Sequence, residues 1–206
     1  MTDSDSDTWE NYYGKTGARP PCETLLFALD RFEAEPSADR PRFAIDLGCG
    51  TGRDAIELLR RSWRVLAVDA EAKAIEGLRA RPDLPADAAL ETMISRFEDA
   101  TLPDGEADLV TSGFALPLVP PAAFPDLWDR IVAALRPGGR IACQLYGDRD
   151  SWVGDATVTF FSRGGVDALL HPLDVEYLRE EEDDSATPRG KEKHWHIFHI
   201  VARTPL

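Results

Sequence analysis

The sequence predicts an α/β fold: a doubly wound, seven-stranded, mostly parallel sheet with an antiparallel C-terminal strand pair. Three observations carry that expectation. Short apolar runs such as Phe43-Ala44-Ile45 and Val65-Leu66-Ala67-Val68 lack in-and-out alternation, as strands covered on both faces do. Helical patterns separate these runs, and alternating strands and helices imply right-handed crossovers between parallel strands. A glycine-rich turn follows the first strand, at the carboxyl end where such sheets bind ligands.

In chain order, a helix is expected over Pro20 to Phe32, with Leu25, Leu26, Leu29 and Phe32 on its buried side, after a flexible aromatic arm. Strands are expected at Arg42 to Leu47, Arg64 to Asp69, Ala107 to Thr111 and Arg140 to Tyr146, with a weaker candidate at Ala89 to Ser95. Ala55, Ile56, Leu58 and Leu59 mark one intervening helix, Ala72 to Leu78 a second, and Leu127, Ile131, Val132 and Leu135 a third. Arg136-Pro137-Gly138-Gly139 stops the third helix and turns the chain. Leu173 to Glu180 and His194 to Arg203 read as the antiparallel pair, joined by an acidic, Pro/Gly-containing loop. With 206 residues, 43% of them apolar, the chain suits one domain: an arm and helix over 1–40, a ligand-binding half over 41–146 and a C-terminal half over 147–206.

Composition excludes several partners. With 23 basic against 37 acidic side chains the formal net charge is −14, a field that repels nucleic acid and anionic membrane surfaces. Asp3, Asp5, Asp7 and Glu10 hold four of those charges and Glu180 to Asp184 five more, and blocks of this kind read as solvated tails and loops. The polar, acidic N-terminus does not fit a secretory signal, and no apolar run is long enough to span a bilayer. Cys22, Cys49 and Cys143, odd in number and far apart, suit a reducing compartment, so a cytoplasmic location is expected. No Cys/His spacing matches a zinc site, and no metal is expected.

The informative stretch is Asp46-Leu47-Gly48-Cys49-Gly50-Thr51-Gly52-Arg53-Asp54. Gly48 and Gly50 let a ligand approach the backbone with no Cβ in the way. A dinucleotide fingerprint G-x-G-x-x-G would need its third glycine at position 53, which is Arg53. Asp46, at the mouth of the strand, would repel a pyrophosphate but attract the ammonium and sulfonium of S-adenosylmethionine. Asp69 ends the next strand, where a carboxylate can accept both hydroxyls of an adenosine ribose. An NAD-dependent oxidoreductase is therefore the weaker reading.

Four motifs stand in order: the glycine loop, Ala67-Val68-Asp69, Pro103-Asp104-Gly105-Glu106-Ala107-Asp108-Leu109-Val110 and Leu135-Arg136-Pro137-Gly138-Gly139-Arg140. Over residues 40–146 the chain resembles the class I S-adenosylmethionine-dependent methyltransferases, which implies their Rossmann-like fold. Trp9-Glu10-Asn11-Tyr12-Tyr13, Arg19-Pro20-Pro21, Gly147-Asp148-Arg149-Asp150-Ser151-Trp152 and Lys193-His194-Trp195-His196 extend the likeness to small bacterial methyltransferases of the tellurite-resistance type. The resemblance implies that the arm folds over the donor, with Tyr13 and Arg19 as contacts and the Arg19 guanidinium clamping a carboxylate. It also implies cofactor contacts at Asp46, Gly48, Cys49, Gly50, Asp69, Ala70, Phe97, Glu98 and Ser112. Where many class I members carry an acidic adenine acceptor this chain has Arg96, so Phe97 and Glu98 are the candidates there.

Other conspicuous residues have bland readings beside functional ones. Cys49 is a small side chain over the ligand rather than a nucleophile. His194 and His196 share a strand face and His199 lies on the other; hydrogen-bonded structural histidines are favoured over a metal pair. Trp152, just past the fifth strand with Asp148 and Arg149, suits either an acceptor pocket or a core tryptophan. Ser112, after the fourth strand, is expected to position backbone rather than react. The expected activity is methyl transfer from S-adenosylmethionine to a small-molecule acceptor, such as a soft chalcogen or thiol-like nucleophile, mainly through alignment and exclusion of water. A non-catalytic S-adenosylmethionine-binding sensor or scaffold shares the same motifs.

Overall fold

The computed structural model describes residues 19–36, 39–187 and 190–206. The elements run in the order α1 (Glu23–Glu33), β1 (Phe43–Leu47), α2 (Arg53–Arg60), β2 (Arg64–Asp69), α3 (Ala72–Arg79), β3 (Leu90–Ile94), β4 (Ala107–Ser112), a 3₁₀ turn (Leu116–Leu118), α4 (Phe124–Ala134), β5 (Leu135–Gly147), β6 (Phe160–Phe161), α5 (Arg163–Leu170), β7 (Asp174–Ala186) and β8 (Glu192–Arg203). Among the described residues the sheet has eight strands in the order β3-β2-β1-β4-β5-β8-β7, with the two-residue β6 paired to the end of β5. The first five strands run parallel; β8 is antiparallel to both β5 and β7.

Burial explains the lack of alternation in the sequence. β1 and β4 are buried at every position because helices cover both faces of the sheet. On one side Leu25, Leu29 and Phe32 of α1, with Ile56 and Leu58 of α2 and Leu78 of α3, pack over Ala44, Ala67, Leu109, Ala142 and Val201. On the other, Leu127 and Ile131 of α4 and Val166 and Leu170 of α5 pack over Ile45, Val110, Ile141, Phe198 and Ile200. No described helix is long and apolar enough to cross a membrane.

Three expectations are corrected. α1 starts at Glu23 rather than Pro20: a residue before proline avoids the helical region, so Pro20 is held out, and Cys22 is still extended (φ −58°, ψ 138°). The acidic run Glu180 to Asp184 is not in a loop, because β7 continues to Ala186 and pairs with β8 along its whole length. Finally, α5 and β6 add a strand and a helix that short, weakly apolar stretches did not signal. The turn at Arg136 to Gly139 is a register shift at the start of β5, where Gly138 has φ +77°.

Candidate active site

The carboxyl ends of β1, β2 and β4 place the predicted residues together. Gly48, Gly50 and Gly52 all have positive φ, at +75°, +53° and +87°. A Cβ on Gly48 would lie 2.3 Å from the Ala115 Cβ and 3.1 Å from the Phe97 ring, so the glycine is required by packing as well as by backbone angle. Four of the loop amides are already used: Gly48 and Cys49 donate to the Val68 carbonyl at 2.8 and 3.1 Å, Gly50 to Asp69 Oδ2 at 2.8 Å and Gly52 to the Cys49 carbonyl at 2.9 Å. A phosphate cradle needs such N–H groups free, so this loop is built for close approach rather than for an anion.

Asp46 is 2% exposed, and its Oδ2 has no hydrogen-bond partner among the described residues. Burial foremost, then the neighbouring Asp54 and Asp69, pushes its carboxyl well above the usual carboxylate range, against a smaller opposing pull from Arg53. Such a group lacks a positive partner. Its register neighbour Thr111, on the same face, also has a buried hydroxyl without a partner. Asp69 is tied in, its Oδ2 accepting from Gly50 N and its Oδ1 from Glu71 N at 2.9 Å, which fixes the carboxylate.

Around these lie the remaining candidates. Ser112 Oγ donates to the Leu47 carbonyl at 2.8 Å and clips β4 to β1. Cys49 is a buried thiol whose proton is held by burial and by Asp46 and Asp69, which makes it a poor nucleophile. Ala70 is exposed at the rim and Phe97 is half-buried against Gly48. Glu98 pairs with Arg96 at 3.0 Å, and Arg130 holds the carbonyls of Phe97, Glu98 and Ala100 at 3.1, 3.1 and 2.7 Å. Arg19 stands exposed ahead of α1; Tyr13 and the rest of the aromatic arm lie outside the described residues.

Sequence reasoning missed the way α1 closes this end of the sheet. Asp54, 5% exposed, accepts from Cys22 N at 2.8 Å, and Arg53 lies against the Cys22 thiol. A Cβ on Gly113 would come within 2.7 Å of that sulfur and 3.1 Å of Asp54 Oδ2. Gln144 of β5 spans the same seam, donating to Thr24 Oγ1 at 2.9 Å and accepting from Phe114 N at 3.2 Å. The Gly52-Arg53-Asp54 sequence carried a signal for the first contact, but Gln144 and Thr24, 120 residues apart, carried none.

The histidines divide by face as expected. His199 lies between Glu23 and Glu181, with nitrogen–oxygen distances of 3.0 and 3.3 Å, and burial lowers its pKa. His196 accepts from Arg149 N at 3.1 Å through Nδ1, and its Nε2 lies 3.0 Å from both Glu180 Oε1 and Arg149 Nη2. Glu180, Glu182 and His196 converge as three potential metal ligands, and Arg149 already holds both carboxylates. Trp152 is neither a core residue nor free of the sheet: it is 40% exposed and packs on Tyr146 and Trp195, with ring centroids 6.1 and 5.9 Å away.

Residues 44–139 match the family of methyltransferase domains. A trans-aconitate 2-methyltransferase of a Mycobacterium species is 30% identical over 142 residues, covering 68% of this chain and 52% of that protein. An uncharacterized methyltransferase of Mycobacterium tuberculosis is 35% identical over 114 residues, 55% of this chain and 43% of that one. The chain thus spans about half the length of these curated relatives. Among solved structures, TehB from Haemophilus influenzae superposes with a TM-score of 0.72 at 14% identity, over 95% of this chain and 67% of that one. A 1,6-didemethyltoxoflavin-N1-methyltransferase of Burkholderia thailandensis, solved with S-adenosylhomocysteine, gives 0.66 at 19% identity, over 98% and 83%. The sheet order and antiparallel C-terminal pair are those of the Rossmann-like methyltransferase fold.

Proposed function

We propose, from a chain that matches the methyltransferase domain family over residues 44–139 and folds as its members do, an enzyme that transfers a methyl group from S-adenosylmethionine to a small-molecule acceptor. The single observation that carries the cofactor is the orphaned buried Asp46 Oδ2, beside a loop whose Gly48, Cys49, Gly50 and Gly52 amides are already bonded. S-Adenosylmethionine brings an ammonium and an already activated methyl sulfonium. Asp46 would meet its positive charge, Asp69 the ribose hydroxyls, and Phe97 with the Glu98 backbone the adenine; Gly48 and Gly50 permit the close approach. The protein's remaining work is to align the acceptor and exclude water.

Net acidity supports a small-molecule acceptor over a nucleic acid. The finer expectations of a tellurite-resistance-like type and a soft chalcogen or thiol-like acceptor find support only in the backbone likeness to TehB, which at 14% identity speaks of fold rather than of acceptor.

Calorimetry tests the donor reading: S-adenosylhomocysteine should bind and NAD should not, and the reverse would sink it. Asp69→Ala should weaken that binding by about 1–3 kcal/mol, the worth of hydrogen bonds to a charged group. Turnover with a labelled methyl donor separates an enzyme from a sensor.

A further inference from the structure

We infer that the acceptor is a ring nitrogen compound, neutral when it attacks and cationic once methylated, held on the Trp152–Trp195 face beyond the end of β5. This rests on the donor reading above. Phe114 connects the two places: its chain neighbour Gly113 touches the Cys22–Asp54 seam, and its ring packs with the cluster of Tyr146, Val158 and Ile197. That cluster continues through Phe160, Trp152 and Trp195, with ring centroids 5.9–6.4 Å apart around Tyr146 and the two indoles.

These rings already hold a cation. The Lys193 ammonium, fully buried, lies 4.1 Å from the Trp195 ring, 4.2 Å from the Trp152 ring and 5.1 Å from the Tyr146 ring. Its charge is matched by Asp150, equally buried, which also accepts from Trp152 N at 2.9 Å. The indoles are therefore fixed in place and turned to stabilise positive charge, while Trp152 keeps 40% of its surface exposed to a ligand.

Charge around them points the same way. Of the bases on this face, Lys193 is matched by Asp150 and Arg179 by Glu23 and Glu181. Asp183, paired with Trp195 across the β7–β8 ladder, adds further acid. A carboxylate or oxyanion acceptor would find no spare cation among these groups and a surplus of negative charge. A neutral nitrogen meets neither penalty. Its lone pair forms the N–CH3 bond as the S–CH3 bond breaks, the bonding electrons stay on sulfur, and the positive charge passes from sulfonium to nitrogen. Any N–H proton on the product then leaves to water. The charge thus arrives where aromatic faces and carboxylates favour it.

The test uses the full chain saturated with S-adenosylhomocysteine and two probes of one shape, N-methylquinolinium and 2-naphthoate, titrated by calorimetry. The cation should bind about tenfold more tightly than the anion, and Trp152→Ala should remove most of that preference while leaving S-adenosylhomocysteine affinity unchanged. Equal or tighter binding of naphthoate, no binding of either probe at millimolar concentration, or a preference unaltered by Trp152→Ala would each overturn the inference. Failure of S-adenosylhomocysteine itself to bind would count against the donor reading instead.

Discussion

Asp46 shows how a single side chain can set the pH response of a site. Buried with Asp54 and Asp69 nearby, it holds its proton well above the usual carboxylate range before the donor arrives. An ammonium brought beside Asp46 favours the ionised form, so affinity for S-adenosylhomocysteine, whose only positive group is its ammonium, should rise with pH through the raised pKa, with release of a proton. Calorimetry in two buffers of different ionisation heat measures that release, and Asp46→Asn should abolish it. The stability sign is opposite. A carboxyl with a raised folded pKa binds protons more readily in the native state, so the unliganded protein loses stability as pH rises past the ordinary carboxylate pKa. Asp46→Asn should accordingly leave the unliganded melting temperature at neutral pH the same or higher, while donor affinity falls. The motif made Asp46 and Asp54 visible; that Asp46 is buried, with Asp54 and Asp69 close enough to raise its pKa, follows from the fold rather than from spacing.

At the scale of elements, the end of β5 is clasped by β8. A Cβ on Gly147 would sit 1.9 Å from His196 Nδ1, so the glycine exists to admit that imidazole. Ser151 N donates to the His194 carbonyl at 3.0 Å, and Asp150 joins Lys193 from the opposite face. Gly147→Ala should destabilise the fold by about 1–3 kcal/mol, the usual range for forced overpacking. In a double-mutant cycle read by denaturant melts, His196→Ala should recover part of that loss, giving a coupling of about 1 kcal/mol. Additive losses would mean that the imidazole does not set the requirement at 147. The helices and parallel strands were legible because buried runs and glycine turns are local. The clasp was not, since its partners lie 43 or more residues apart and Gly147 resembles any other strand-end glycine. For the same reason, Glu180 to Asp184 looked like a solvated loop: the charges hide a strand whose pairing is specified by β8.

Across the whole molecule, the uneven charge now bears on association as well as on ligands. β7 is the outer strand of the sheet beyond β8, 13 residues long, and an open edge of that length is a template for pairing with another chain. Glu180 to Asp184 fall in the middle of it. Some of these carboxylates are matched, Glu180 and Glu182 by Arg149 and Asp184 by His194, while Asp183 adds charge on the face that carries Trp195. Like-charged edges repel when two copies approach, and the repulsion acts over about 10 Å at 0.1 M salt. Replacing Asp183 with Asn keeps the Arg149 and Arg179 contacts and removes a charge from the edge. Light scattering at neutral pH should then show self-association at protein concentrations where the parent chain remains dispersed. Raising the salt should bring the parent toward the same behaviour and change the variant less, because screening and substitution remove the same barrier. If the variant stays dispersed at all salt concentrations, the edge is guarded by the twist and geometry of the β7–β8 hairpin rather than by its charge.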